Sequence, residues 1–337
     1  MRKVDVFNHF FPERYFTKLM ELAPAHKDMG KRIRNIQRLH DLDARFRVMD
    51  DFGDYQQILS MPSPPLESLA APSDAVELAR IGNDGLADLV RRHPDRFPAF
   101  VASLPMNDPD AAWSEAERAV ADLGASGVQV FTNVNGVPLT APQFLPLFDL
   151  MASHDTPVWL HPARGARFAD YQSEEQSLFE IWWTFGWPYE TSVAMARIVF
   201  AGLFDRHPGL KIITHHMGGM VPYFEGRVGH GWDQLGTRTT DVDYSQVLRT
   251  LHRRPLEYFK LFYADTALFG AAAATACGLS FFGVERVLFA SDTPFEPQPG
   301  LYIRETIDAI DRLAISDEER ARIYSGNTEA LLKLRPS

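Results

Sequence analysis

Eight short runs of β-forming residues, each followed by a stretch with helical spacing, limit what this chain can fold into. Runs of Val, Ile, Phe, Leu or Ala bounded by turn residues fall at 4–9, 56–62, 99–105, 127–132, 157–161, 211–216, 261–265 and 287–292. The clearest helix between them opens at Asp108-Pro109. There an Asp can cap free amide groups and a Pro suits the first turn. It closes near Gly124, which can take a left-handed C-terminal cap. Eight strands alternating with helices over 337 residues predict a single α/β domain, 1–337, folded as a (β/α)8 TIM barrel with an inserted aromatic segment around 164–190. A doubly wound nucleotide-binding sheet would place a glycine-rich phosphate turn after its first strand. Here that strand runs into His9-Phe10-Phe11-Pro12.

The formal charge of −10 argues against a nucleic-acid or acidic-membrane partner, and the basic stretch Lys31-Arg32-Ile33-Arg34 reads as a solvated helix face. No apolar stretch approaches bilayer length, and Asp5, Asn8, Glu13 and Arg14 interrupt any secretory signal, so the expected compartment is the cytoplasm. Cys277, the lone cysteine, lies in an alanine-rich segment and reads as a buried structural thiol. His93 and His207, each in an Arg-His-Pro sequence before a strand, read as turn or cap residues.

The chemistry collects at the ends of strands. His9, His161, His216 and Asp292 each sit where a β run stops, the position at which a parallel barrel carries its active site. Side chains alternate along a strand, so Asp5, Phe7 and His9 share a face and an inward His9 implies an inward Phe7. Imidazoles and a carboxylate around one mouth suit zinc, manganese or iron, and three protein ligands with positions left for water describe a catalytic metal site. In the pair His215-His216 the alternation admits only one ring to the mouth, and periodicity does not choose between them. Asp265, closing a strand, is either a partner that orients a histidine or a helix cap. The aromatic segment from Phe179 to Tyr189 is either a wall for a planar substrate or packing surface.

Four stretches taken together, Asp5-Val6-Phe7-Asn8-His9-Phe10-Phe11-Pro12, His161-Pro162, His215-His216-Met217-Gly218-Gly219 and Ser291-Asp292-Thr293-Pro294, resemble the amidohydrolase superfamily. The similarity is to its branch of aminocarboxymuconate-semialdehyde and γ-resorcylate decarboxylases. The segment from Trp183 to Thr191 is similar to that branch's W-x-x-G-x-P-x-E-T pattern, and the resemblance covers essentially the whole chain. It implies one divalent metal ion, zinc or manganese, held by His9, His161 and Asp292. It implies His216 as acid/base residue with Asp292 sharing the proton work, His215 turned away, and Trp183 against the substrate. It also implies that Arg227 reaches a neighbouring subunit's pocket to hold a substrate carboxylate, hence a homodimer. On these positions His161→Ala is expected to abolish activity and His215→Ala to affect mainly stability. Phe7 stands where the family has its first metal ligand, and the run 127–132 has no lysine to bridge two metals, so the site is mononuclear at most. The activity implied is metal-dependent, non-oxidative decarboxylation of an aromatic or unsaturated carboxylic acid. A metal-dependent hydrolase, such as a lactonase or amidase, would use the same parts, and Phe7 motivates a third reading, a catalytically silent barrel that binds a small acid.

Overall fold

The computed structural model describes residues 1–22 and 30–334. Its strands are β1 (Lys3–His9), β2 (Tyr55–Ser60), β3 (Ala99–Phe100), β4 (Ala102–Ser103), β5 (Val128–Phe131), β6 (Asn133–Val134), β7 (Val137–Pro138), β8 (Val158–His161), β9 (Ile212–Thr214), β10 (Tyr263–Asp265) and β11 (Val287–Leu288). Each of the eight expected runs contains a strand. The run 99–105 is broken at Val101 into β3, which pairs with β2, and β4, which pairs with β5. From β5 the order continues through β8, β9 and β10 to β11, every pairing parallel. Backbone bonds close the ring. Val6 N–H donates to Phe289 O and Asp292 N–H to Phe7 O, both at 3.0 Å, so the eighth strand segment lies against β1 and the sheet has no open edge. The expected TIM barrel is the fold. The short hairpin β6–β7 lies outside the ring and pairs antiparallel.

The two apolar layers explain why the runs read as almost continuously hydrophobic. One core packs helices such as Pro72–Arg92 and Pro109–Ala121 on the outside of the sheet, and a smaller one, including Val4, Phe7, Ile58, Val101, Trp159, Ile213 and Leu288, fills the inside. Trp159 crosses that interior to donate its indole N–H to Val6 O at 3.0 Å, plugging the barrel beneath the strand ends. The helix after β4 starts as expected, with the Asp108 side chain accepting from Ala111 N–H and Pro109 in its first turn, and Gly124 follows its end at φ +73°. His93 and His207 are C-caps, as their Arg-His-Pro context predicts.

Cys277 is half-buried rather than buried, because the helix Ala272–Phe282 turns its alanines to solvent and buries Thr275, Gly278, Phe281 and Phe282 instead. The basic stretch lies on the helix Gly30–Asn35, where Arg34 is exposed, while the side chains of Lys31 and Arg32 lie outside the described residues. No helix among the described residues is long and apolar enough to cross a membrane.

Candidate metal centre

The C-terminal ends of β1, β8, β9 and β11 bring His9, His161, His215, His216 and Asp292 together. Ligand atoms of His9, His161 and His215 lie within 4.8 Å of one another, as do those of His215, His216 and Asp292. Each of the first three rings has one nitrogen tied down. His9 Nδ1 faces Met61 O at 3.2 Å, His161 Nδ1 faces Pro162 O at 2.8 Å, and His215 Nδ1 faces the Asp265 carboxylate at 2.5 Å. Those acceptors assign the ring proton to Nδ1 and leave Nε2 with its lone pair, the arrangement that outer partners impose on metal-binding histidines. His9 Nε2 then stands 3.0 Å from Asp292 Oδ1, two lone-pair atoms facing each other. His215 Nε2 is buried without a hydrogen-bond partner, 3.5 Å from the same oxygen. An orphaned buried nitrogen beside facing acceptors fits a cation. The cluster can hold one divalent metal ion.

The electrostatics agree. Burial first, then the nearby His215 and His9, pushes His161 well below the usual imidazole range, and burial likewise lowers His9 and His216. Burial works against the charge of Asp292 too, yet the adjoining His215, His216 and His9 rings hold its carboxyl well below the ordinary carboxylate range. At His215 burial is outweighed by the Asp265 carboxylate, which holds the ring up to about 9. A metal ion at Nε2 would compete with the second ring proton that this favours, since coordination needs the free lone pair.

The structure corrects the expected facing of the histidine pair. His215 is not turned away: both rings enter the mouth, their centroids 3.7 Å apart. Alternation fails here because β9 ends at Thr214 and His216 adopts φ +51°. Phe7 points inward beside His9, as alternation requires, and its ring stacks on His215 at 3.8 Å and 16°. The residue that cannot ligate braces one that can. Asp265 orients a histidine, its other oxygen accepting from the His216 and Ala267 amides.

Aromatic rings cover the cluster. A cavity of 30 Å³ above it is lined by His161, Asp292, Ser63, Trp183, Trp187, Phe269, Phe295 and Tyr302. Trp183 lies in this wall as expected, its indole N–H donating to Glu180 Oε2 at 3.1 Å. Trp187 sits 5.5 Å from His161 and 6.4 Å from His216 between ring centroids. The expected aromatic segment therefore divides: Trp183 and Trp187 reach the site, while Phe179 (90% exposed), Phe185 and Tyr189 face outward. Phe269, Phe295 and Tyr302 escaped sequence reasoning. Phe295, three residues beyond Asp292, could have been found from that spacing, whereas Phe269 and Tyr302 come from a loop and a helix start that carry no periodic signal. Arg227 is not at its own chain's site. It begins the turn Arg227–Gly231, exposed over the Phe224 ring at 5.9 Å. Among the described residues no lysine or arginine lines the cavity.

Comparison with known proteins matches this geometry. The sequence pattern of the amidohydrolase family matches residues 4–334. A γ-resorcylate decarboxylase of Polaromonas sp. is 33% identical over 98% of this chain and 98% of its own length. A 2-amino-3-carboxymuconate-6-semialdehyde decarboxylase of Dictyostelium discoideum is 28% identical over 91% of this chain and 81% of its own. The crystal structure of a dihydroxybenzoic acid decarboxylase from Polaromonas sp., with bound manganese and the inhibitor 2-nitroresorcinol, superposes with a TM-score of 0.79 at 30% identity, covering 100% of this chain and 98% of that one.

Proposed function

This chain belongs to the amidohydrolase family, and from that premise we propose that it is a metal-dependent, non-oxidative decarboxylase of an aromatic or unsaturated carboxylic acid. The carrying observation is the convergence of three imidazoles and a carboxylate at the barrel mouth beneath an aromatic ceiling. His9, His161 and Asp292, joined by His215, would hold the divalent ion, manganese or zinc. When bound, such an ion supplies Lewis acidity and positive charge next to the substrate oxygens. Loss of CO2 breaks a carbon–carbon bond and leaves its electron pair on carbon, so a proton must arrive where the carboxylate left. His216 would make that transfer. Its Nε2 is 3.5 Å from Asp292 Oδ2, which aligns the ring and balances its charge. Trp183 and Trp187 offer faces to a planar substrate and keep water from the carbanion-like carbon. Asp265 and Phe7 hold His215 from behind.

The test is incubation of manganese-loaded protein with hydroxybenzoates and muconate-type acids, following CO2. The expected result is one CO2 per acid consumed. Release of a ring-opened acid without CO2 would overturn decarboxylation in favour of hydrolysis.

The reading extends to a homodimer of single-domain chains, 1–337, with the 164–190 insertion at the mouth. Arg227 would supply a partner's cavity with a guanidinium, which no described residue of that cavity's own lining provides. Exposed Phe179, Phe185, Tyr189 and Tyr223, with a groove under Arg227 formed by Phe224, Val228 and Trp232, offer an apolar face for the second copy. A single free thiol suits the cytoplasm as the working compartment.

A further inference from the structure

A second cavity of 220 Å³ opens at the same end of the barrel, beside the metal centre. The two share Ser63, and Ala163, two residues past His161, lines the second. The space around the cluster is only about one water molecule's share of liquid volume, ~30 Å³, so the neighbouring cavity is where the rest of a planar acid would extend. Its charge is distinctive. Arg164 and Arg167 both lie over the Phe168 ring, each 5.2 Å from the centroid. Arg164 donates to Glu190 Oε1 at 2.9 Å, whereas Arg167 is exposed and, among the described residues, has no carboxylate within ion-pair distance. The amide groups present are already engaged: Asn133 donates to Ala163 O and Asn135 to Glu67 O. The one carboxyl in the wall, Glu67, is buried with both oxygens unpartnered, and burial pushes it up to about 8, so it is largely uncharged at neutral pH and does not cancel the arginines. With Arg164 already paired to Glu190 and Glu67 largely uncharged, Arg167 leaves this polar cavity one unbalanced guanidinium, which favours an anion and repels an ammonium group.

We propose that this cavity holds a second carboxylate of the substrate, so that the acid decarboxylated is an aromatic or unsaturated dicarboxylic acid, one carboxylate at the metal centre and the other on Arg167 and Arg164. The assignment rests on the decarboxylase reading and narrows it. The guanidinium fork matches a carboxylate with two parallel hydrogen bonds, and both guanidiniums lie 5.2 Å from the Phe168 ring centroid. The reaction is unchanged: the carboxylate near the metal centre leaves as CO2, a proton replaces it, and the second carboxylate stays on the product.

The test compares 4-hydroxyisophthalate with salicylate, which differ by one carboxylate, in the manganese-loaded wild type and in Arg167→Met and Arg167→Lys. Arg167→Met is expected to lower the preference for the diacid, taken as the ratio of the two kcat/KM values, by about 10- to 100-fold through KM. Arg167→Lys should recover part of it. An unaltered ratio overturns the proposal. Should neither acid release CO2, calorimetric titration with isophthalate separates the two claims. Binding to the wild type that weakens at least about tenfold in Arg167→Met supports the subsite while the decarboxylase reading fails. Equal binding to both, or none to either, overturns the subsite itself.

Discussion

Phe7 and His215 form one unit, and its behaviour decides what the missing family ligand means. A phenyl ring at the first ligand position removes a donor, but its stacking on His215 and the Asp265 bond to Nδ1 fix an imidazole whose Nε2 has no other partner. His215→Ala is therefore expected to weaken manganese binding by at least about tenfold, the range for groups that ligate or orient metal. Titration followed by manganese electron paramagnetic resonance reads this directly. Loss of activity with manganese affinity intact would return His215 to a structural role, the one that the family resemblance implied. Glu67 gives a second test at this scale. Its pKa rises from 4.5 to about 8 on folding, so the folded state binds the proton more tightly than the unfolded chain. The stability it contributes is complete below about pH 4.5 and is lost as pH rises through 8. Glu67→Gln keeps the shape and removes the titration. Urea unfolding should find the two proteins closest at pH 4.5 and the variant ahead at pH 8, by as much as ~4 kcal/mol. A constant gap across that window would mean that Glu67 ionises as freely in the fold as in solution.

The turn after β9 is the element on which the site depends. His216 and Met217 take positive φ in succession, followed by Gly218 and Gly219. Four left-handed residues in a row swing both rings into the mouth and return the chain beneath Trp187. Gly219 has no freedom to become anything larger, since a Cβ there would meet Pro188 O at 2.3 Å at φ +63°. Gly219→Ala should destabilise the fold by about 1–3 kcal/mol and blunt the rise in Tm that manganese gives the wild type. A metal-dependent rise equal to the wild type's would show that the turn does not set the cluster. This element also marks the limit of sequence reasoning. The run 211–216 was correctly located, but a two-residue period carries a side chain's facing only while the backbone stays extended, and nothing in His-His-Met-Gly-Gly announces where extension stops. The glycine pair signalled a turn without specifying its direction. At Asp265, by contrast, a carboxylate at a strand end could be paired with a histidine beforehand, because that rule needs only adjacency around the rim.

At the scale of the whole molecule the barrel was legible because eight runs buried on both faces leave a strong local record, and closure through Val6, Phe7 and Phe289 follows from their number. The ceiling of the site left no such record, since Phe269 and Tyr302 come from separate connections that meet only in the fold. Among the described residues no lysine or arginine lines the cavity over the histidine–aspartate cluster. Arg227 lies outside its own cavity, among exposed Tyr223 and Tyr189 and next to the groove that includes Trp232. If the site is completed across a two-fold axis, each active centre combines one subunit's His161 with the other's Arg227, and two inactive variants can repair each other. His161→Ala and Arg227→Ala are each expected to lose most activity as pure proteins that sediment as dimers. Mixed in equal amounts and allowed to exchange subunits, they should recover about one quarter of the wild-type rate, because half the dimers are mixed and each mixed dimer has one intact site. A mixture as inactive as its components, with exchange verified, would mean that Arg227 acts within its own chain or not at all. Sedimentation as monomers at every concentration would remove the shared site altogether and leave the exposed aromatic face without its second copy.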